Sequence, residues 1–334
     1  MTRYTAFAAL SGLAVVVALV AWQGVGTLFD ALAIAGWQLA WLPLYFLLVM
    51  VLAAMAWQWL LPPGKAPKLG VATYMTGVGL AVNWLLPVAM VGGEAVRAHL
   101  LVRRRHAAAE AVASVIADKT VQVATQVAFA VLGLLLLIGY GAEGRFLLSI
   151  LAGVAVLTAA LVAFYLVQRR GGIGGSARYI SRLLGPERAR RLQVTSEEVD
   201  QALQSTYERR ARLCWAFGLR FAARMVWAGE VLIALALLGH PVGVLVALII
   251  ESLTQAARAA AFVIPGGLGA QEAGIVVIGL AVGLPAEVCL ALAVVKRGRE
   301  LAVGLPVLGY WQLEEARYWS RRRRRERGSD DRVS

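Results

Sequence analysis

Apolar and polar positions in this chain do not alternate; they separate into long apolar blocks joined by short polar stretches. A membrane-spanning helix takes about 20 mainly apolar residues. Six blocks reach that length, at about 4–26, 39–61, 112–140, 146–168, 213–239 and 286–309. Two more, 70–105 and 242–284, are interrupted by Pro and Gly and predict broken elements rather than continuous spans. The pattern predicts an all-α polytopic membrane protein with about six full spans and two re-entrant helical hairpins. It divides the chain into a first membrane half (1–168), a connector (169–212), a second half (213–312) and a basic tail (313–334).

Composition agrees with that reading. The chain is 60% hydrophobic and 16% charged, where soluble domains average about 45–50% and about 25%. Mean hydropathy is +0.69. The net charge of +13 sits mostly in segments beside apolar blocks, which suits anionic headgroups and gives no reason to expect nucleic acid as a partner. The N-terminal block is longer than a signal-peptide core and has no clear cleavage site after it, so a retained first helix is expected. Cys214 and Cys289 lie far apart in apolar surroundings and His99, His106 and His240 form no cluster, so no disulfide framework, metal or cofactor is expected.

Loop charge sets the expected orientation. The stretch from Asp30 to Trp41 carries no Lys or Arg and faces out. Lys65, Lys68, Arg103 to Arg105, the Arg-rich connector and the run Arg321 to Arg325 face the cytoplasm. Both termini then lie inside, and the number of crossings is even. Six spans satisfy this only if each broken element enters and leaves on one side, the first from inside and the second from outside. That is the geometry of an inverted-topology repeat.

The two broken elements share landmarks. Pro87 precedes Glu94 by seven residues, and Pro265 precedes Glu272 by seven. Gly92 and Gly93 immediately precede the first glutamate; Gly266, Gly267 and Gly269 precede the second. Twenty-five residues after each glutamate comes a cation, Lys119 and Arg297, each preceded by a second charge, Asp118 and Lys296. Asn83 lies close to the first break. Charges at bilayer depth cost about 2.5–3.5 kcal/mol each on insertion scales, so these must pair or face a wet cavity. Helix spacing suggests pairing of Glu94 with Arg97 and a shared face for Glu251 and Arg258. Arg220 and Arg224, four apart, need an anion between them. Structural ion pairs and a polar chamber for a lipid headgroup both remain open. A helix restarting near Gly269 would point free N–H groups at such a headgroup, with Gln271 and Glu272 in its first turn.

The connector opens on Gly171 to Gly175, a flexible hinge, and continues as a polar helix from Pro186. Leu192, Val199 and Leu203 fall at helical spacing along it. It either lies on the inner leaflet or bridges the halves in solvent. No GxxxxGK[ST], GxSxG, HExxH or CxxC motif occurs, so ATP hydrolysis is not expected and the chain does not read as an enzyme. An intramembrane lipid-modifying enzyme that uses the carboxylates as acid and base, or a scaffold recruiting lipid-synthesis enzymes through the 169–212 helix, stands as the alternative to a lipid-moving chamber.

The segments "NWLLPVAMVGGEAVRAHLL", "ASVIADKTVQ", "VIPGGLGAQEAG" and "ALAVVKRGREL" resemble the lysylphosphatidylglycerol synthase transmembrane-region family of flippase-like proteins, over roughly 83–309. Within it they look most like the hopanoid-biosynthesis-associated members. The resemblance implies a bacterial inner-membrane protein that moves lipid, a hopanoid bound for the outer membrane in that subgroup. Matched positions are Pro87, Gly92, Gly93, Glu94, Arg97, Asp118 and Lys119, then Pro265, Gly266, Gly267, Gly269, Glu272, Lys296, Arg297 and Glu300. Bifunctional members carry a soluble aminoacyltransferase domain after the membrane part. This chain ends about 25 residues past its last predicted span, so aminoacyl-tRNA chemistry is not expected.

Overall fold

The structure is a computed structural model that describes residues 36–86, 92–141, 186–260 and 269–330. All regular structure among these residues is helical. A 3-10 turn (Gly36–Ala40) leads into α1 (Trp41–Leu60), followed by α2 (Leu69–Leu85), α3 (Gly92–Arg103) and α4 (Ala108–Gly139). After the connector come α5 (Pro186–Glu208), α6 (Arg210–Leu237), α7 (Val244–Ala260), α8 (Ala270–Ala281) and α9 (Ala286–Asp330). The predicted spans 4–26 and 146–168, the glycine hinge and the residues Pro87, Pro265, Gly266 and Gly267 lie outside the described residues.

Local chemistry explains the boundaries. α1 is apolar throughout and stops before Pro62 and Pro63, whose rings cannot continue a helix. α2 stops one residue short of the position before Pro87, where the α conformation is disfavoured. α6 ends in a Schellman-like turn: Gly239 adopts φ +80° and the His240 N–H donates to Leu235 O at 2.9 Å. α9 runs past the predicted span 286–309, continuing through Pro306 to Asp330. Its extension is held by Glu314, which accepts from Tyr74 Oη at 2.8 Å, and by Glu315, which pairs with Arg103.

Among the described residues, two helices, Gly36–Leu60 (taken with its lead-in turn) and Ala108–Gly139, are long and apolar enough to cross a membrane by length and composition. Their surfaces fit that setting. Leu44, Leu47 and Leu48 on α1 and Leu135 and Ile138 on α4 face outward, which water would penalise and lipid does not. Exposed Trp41 and Trp59 lie near the two ends of α1, spaced as interfacial aromatic belts are. The other predicted spans, α6 and the first part of α9, are long enough but carry the buried charges described below.

The same helix plan occurs twice. α2 and α7 each have 17 residues, and α3 and α8 each have 12. The links 104–107 and 282–285 that follow are both four residues long. Neighbour relations repeat as well. α1 packs on α2 as α6 packs on α7, α2 on α3 as α7 on α8, and α3 on α4 as α8 on α9. Between the halves, α1 packs on α6, α2 on α9 and α7 on α4.

These cross-contacts run antiparallel. Tyr45 Oη donates to Val226 O at 2.6 Å near one end of the α1–α6 pair, and Trp59 stacks on Trp215 at the other. Small residues allow close approach. A Cβ added at Gly133 would lie 1.8 Å from Ser252 Oγ, and one at Gly304 would lie 2.7 Å from Leu85 Cδ1. The connector helix α5 does not leave its apolar stripe to lipid. Val199 and Leu203 are buried, Leu203 in a cluster with Ala113, Ala117 and Ala216, and the Tyr207 and Thr120 hydroxyls meet at 3.0 Å.

The described loops at one end of the bundle hold Lys65, Arg104, Arg105 and Arg209, with Arg210 and Arg212 in the adjoining turn of α6. The segments at the other end (36–40, 140–141, 238–243 and 282–285) contain no Lys or Arg. Contacts bind the charged end: Lys65 to Glu110 at 2.7 Å and Arg212 Nη1 to Leu61 O at 2.9 Å.

Candidate functional site

Each broken element is a pair of short helices whose second limb carries a glutamate in its first turn. In the first, Gly93 lies against Gly79: a Cβ on Gly93 would come within 2.0 Å of Gly79 O. The limbs of α2 and α3 therefore touch backbone to backbone, and only glycine fits there. Asn83, on the outgoing limb, ties the turn together. Its Oδ1 accepts the Gly93 N–H at 2.8 Å and its Nδ2 donates to Glu94 at 3.0 Å. In the second element, Glu272 Oε2 accepts the Gly269 N–H at 2.9 Å, as a helix cap does. The expectation that restarting helices offer free donors to a headgroup is corrected at these two positions. The chain's own Asn83 and Glu272 occupy the Gly93 and Gly269 N–H groups.

The 25-residue spacing is a contact in both halves. Lys119 Nζ lies 2.7 Å from Glu94 Oε1, and Arg297 Nη2 lies 2.7 Å from Glu272 Oε1. Each pair ties a hairpin to the long helix that follows it. These two carboxylates are also the most open at this depth, their side chains 15% and 16% exposed.

Behind them sit charges with almost no exposure. Asp118, 2% exposed, accepts from Arg97 Nη1 at 2.7 Å and from Arg220 Nη2 at 2.6 Å. One carboxylate thus joins α3, α4 and α6. Glu300 accepts from Arg258 at 2.5 Å and Arg297 at 2.6 Å, joining α7 to α9. Gln271 also accepts from Arg258, and Lys296 pairs with Glu251, which Gln255 supports at 2.8 Å. The intra-helix pairings expected from spacing are replaced by inter-helix ones: Arg97 turns to Asp118 rather than Glu94, and Glu251 is met by Lys296. A lone helix offers a partner only on its own face, whereas the packed bundle supplies better-buried ones from its neighbours.

Two cations outside the expected site belong to the same interior. Arg299 donates to Glu230 at 2.9 Å, and its guanidinium lies over Phe46 at 4.1 Å, Trp84 at 4.9 Å and Trp227 at 5.6 Å. The aromatics come from α1, α2 and α6, so no local pattern links them. Arg224 reaches only neutral oxygens: Thr125 Oγ1 at 3.1 Å, Gln122 O at 2.8 Å and Gln126 Oε1. No group of three or more His, Cys, Asp or Glu among the described residues could hold a metal ion.

The family profile described as Lysylphosphatidylglycerol synthase TM region matches residues 9–307. The chain belongs to the lysylphosphatidylglycerol synthase transmembrane-region family. No curated protein and no solved structure matches it. Membership makes this a membrane protein with a lipid-related role, and both hairpins and all the interior charges above fall within the family region.

Proposed function

We propose that this family member is a lipid translocator of the bacterial inner membrane, acting without a chemical step of its own. Its two hairpins form an inverted repeat. The reading rests on one observation: the two hairpin glutamates, Glu94 and Glu272, make equivalent ion pairs to the next long helix and keep the greatest exposure of the interior carboxylates. Antiparallel packing of α1 on α6 supports an axis lying in the membrane plane, because a two-fold that reverses spanning helices has no other direction. On this reading Lys65, Arg104, Arg105, Arg209 and the basic tail face the cytoplasm, against anionic headgroups.

The hairpin limbs of 17 and 12 residues rise about 25 and 18 Å at about 1.5 Å per residue. Each is shorter than a bilayer core of about 30 Å. The tips of opposite hairpins then meet inside, where irregular backbone is tolerated only against protein or a wet cavity. Glu94, Arg97, Lys119, Gln271, Glu272 and Arg297 contact the polar head of the cargo, a hopanoid or phospholipid moving toward the outer membrane. The fully enclosed Asp118, Lys296 and Glu300 hold the surrounding helices.

The test is Glu272→Gln in a vesicle assay that follows a labelled lipid from one leaflet to the other. The variant is expected to insert normally and to move lipid at least several-fold more slowly. Wild-type rates at equal protein level would remove Glu272 from the mechanism. A deletion strain is expected to contain the normal lipid species in the wrong membrane; loss of a chemical species would assign an enzyme instead.

A further inference from the structure

One interior carboxylate is held differently from the rest. Glu94, Asp118, Glu251, Glu272 and Glu300 each accept hydrogen bonds on both oxygens, from the partners described above. Glu230 does not. Its Oε1 accepts from Arg299 Nε at 2.9 Å, whereas its Oε2, on a side chain with 0% exposure, has no donor among the described residues. Hydrogen bonds to an ionised carboxylate favour the ionised form, and burial favours the neutral one. Glu230 has the fewest such bonds and is as deeply buried as any of the six.

Its partner differs too. Arg299 leaves Nη1 and Nη2 without an acceptor and rests on the rings of Phe46, Trp84 and Trp227, at 4.1, 4.9 and 5.6 Å. Ring faces support a cation whether or not a carboxylate beside it is charged. Several desolvated contacts of this kind together are comparable with the insertion cost of one cation at bilayer depth. Neutralising Asp118 or Glu300 would instead remove a carboxylate that two guanidiniums share.

The surroundings leave Glu230 this freedom. On α1, Tyr45 donates its hydroxyl to Val226 O, one turn before Glu230, and nests where a Cβ on Gly229 would lie 2.1 Å from its Oη. On α6 itself, Arg220 and Arg224 turn to α4. Glu251 and Arg258 on α7, and Asp118 and Lys119 on α4, are held by other partners. α5, with Asp200 and Glu208, meets α6 around Leu213 and Ala216, near its far end. Further unpaired polar atoms, Trp227 Nε1, Thr73 Oγ1, Thr76 Oγ1 and Trp311 Nε1, stand on α6, α2 and α9, which build the box around Arg299. Buried polar groups are overwhelmingly paired, and water is the partner left to these.

We infer that Glu230 reversibly binds a proton and so couples this protein to a proton gradient. The proton comes from water and adds to Glu230 Oε2, giving a neutral carboxylic acid; Arg299 keeps all of its own. Neutralisation weakens the ion pair between α6 and α9 while the rings hold the guanidinium in place. Arg299 stands two residues after Arg297, so a shift of α9 at this point reaches the Glu272 pair. The inference rests on the translocator reading for what the proton drives, and it names the energy source of that movement.

Infrared difference spectroscopy of the purified full chain in detergent reads the proton directly. Lowering the pH within the range in which the protein stays folded should raise the band of a protonated carboxyl in an apolar setting. The band should appear in wild type and in Glu272→Gln, and not in Glu230→Gln. Phe46→Leu takes one ring from Arg299 and leaves the carboxylate intact. A neutral Glu230 then leaves the guanidinium less supported, so the band should appear at a pH lower by about one unit, the scale of one desolvated cation–π contact. That variant decides the matter if Glu230→Gln does not fold. In vesicles, an imposed pH gradient should speed lipid movement several-fold in wild type and leave folded Glu230→Gln unchanged. No band in wild type, a band that persists in Glu230→Gln, an unshifted band in Phe46→Leu, or wild-type lipid movement indifferent to the gradient overturns the inference. A protein that shows the band and moves no lipid fails as a translocator and leaves the proton site standing.

Discussion

Asp118 and Glu94 show how two carboxylates, each bridging to a cation, differ in what they do. Asp118 is enclosed and carries two guanidiniums; Glu94 is partly open and carries one ammonium. Removing one partner of a buried ion pair costs about 3–5 kcal/mol because the other charge is left without compensation, whereas pairs reached by water are worth about 0–1 kcal/mol. Asp118→Asn is therefore expected to lower the unfolding temperature in detergent far more than Glu94→Gln does, and to reduce the amount of protein recovered. If the two variants fall equally, Asp118 is not the hub that joins α3, α4 and α6. Part of this was legible in the chain: the 25-residue interval from each glutamate to a cation turned out to be an ion pair in both halves. The aromatic surround of Arg299 was not legible, since Phe46, Trp84 and Trp227 meet only when three helices fold together. Arg224 stood out as a charge, but its neutral partners on α4 depend on helix rotation, which no spacing on α6 reveals.

Among the elements, the hairpins are defined less by their prolines than by how closely their limbs touch. The Gly93–Gly79 contact leaves no room for a methyl group. Gly93→Ala must part α2 from α3 and pull Asn83 away from the turn. Overpacking costs about 1–3 kcal/mol in a core that yields, and more against backbone, which does not. Gly298, in α9, has nothing within 4 Å of where a Cβ would stand. Gly298→Ala should instead raise stability by about 0.5–1 kcal/mol, the usual gain for that change inside a helix. Thermal unfolding of the two variants should thus move in opposite directions, and a fall in both would mean that the α2–α3 contact is not special. The helices themselves were well marked by apolar blocks and by Pro and Gly: the limbs at 69–103 and 244–281 fall close to the predicted 70–105 and 242–284. Hydropathy marked the apolar part of α9 but not its helical continuation into the basic tail. α9 continues beyond, held by Tyr74 and Arg103 on partners distant in sequence.

Across the whole molecule, the arrangement predicts which surface each loop occupies. Antiparallel packing of α1 on α6, α2 on α9 and α7 on α4 places the 61–68 loop at one end and the 238–243 and 282–285 links at the other. The loop charges that suggest the same division were visible in the chain; the contacts between halves were not, because a repeat of this kind is held together by pairs more than 100 residues apart, such as Phe46 with Trp227 and Tyr74 with Glu314. The division can be read with single cysteines at Ala66 and Ala286, both exposed, in a chain whose Cys214 and Cys289 have been replaced by alanine. In spheroplasts, a membrane-impermeant maleimide should label position 286 at once and position 66 only after the membrane is opened. Labelling of both from outside would place the two hairpins on the same side. The inverted repeat would then fail, and with it the meeting of Glu94 and Glu272 inside the membrane, whatever their separate ion pairs.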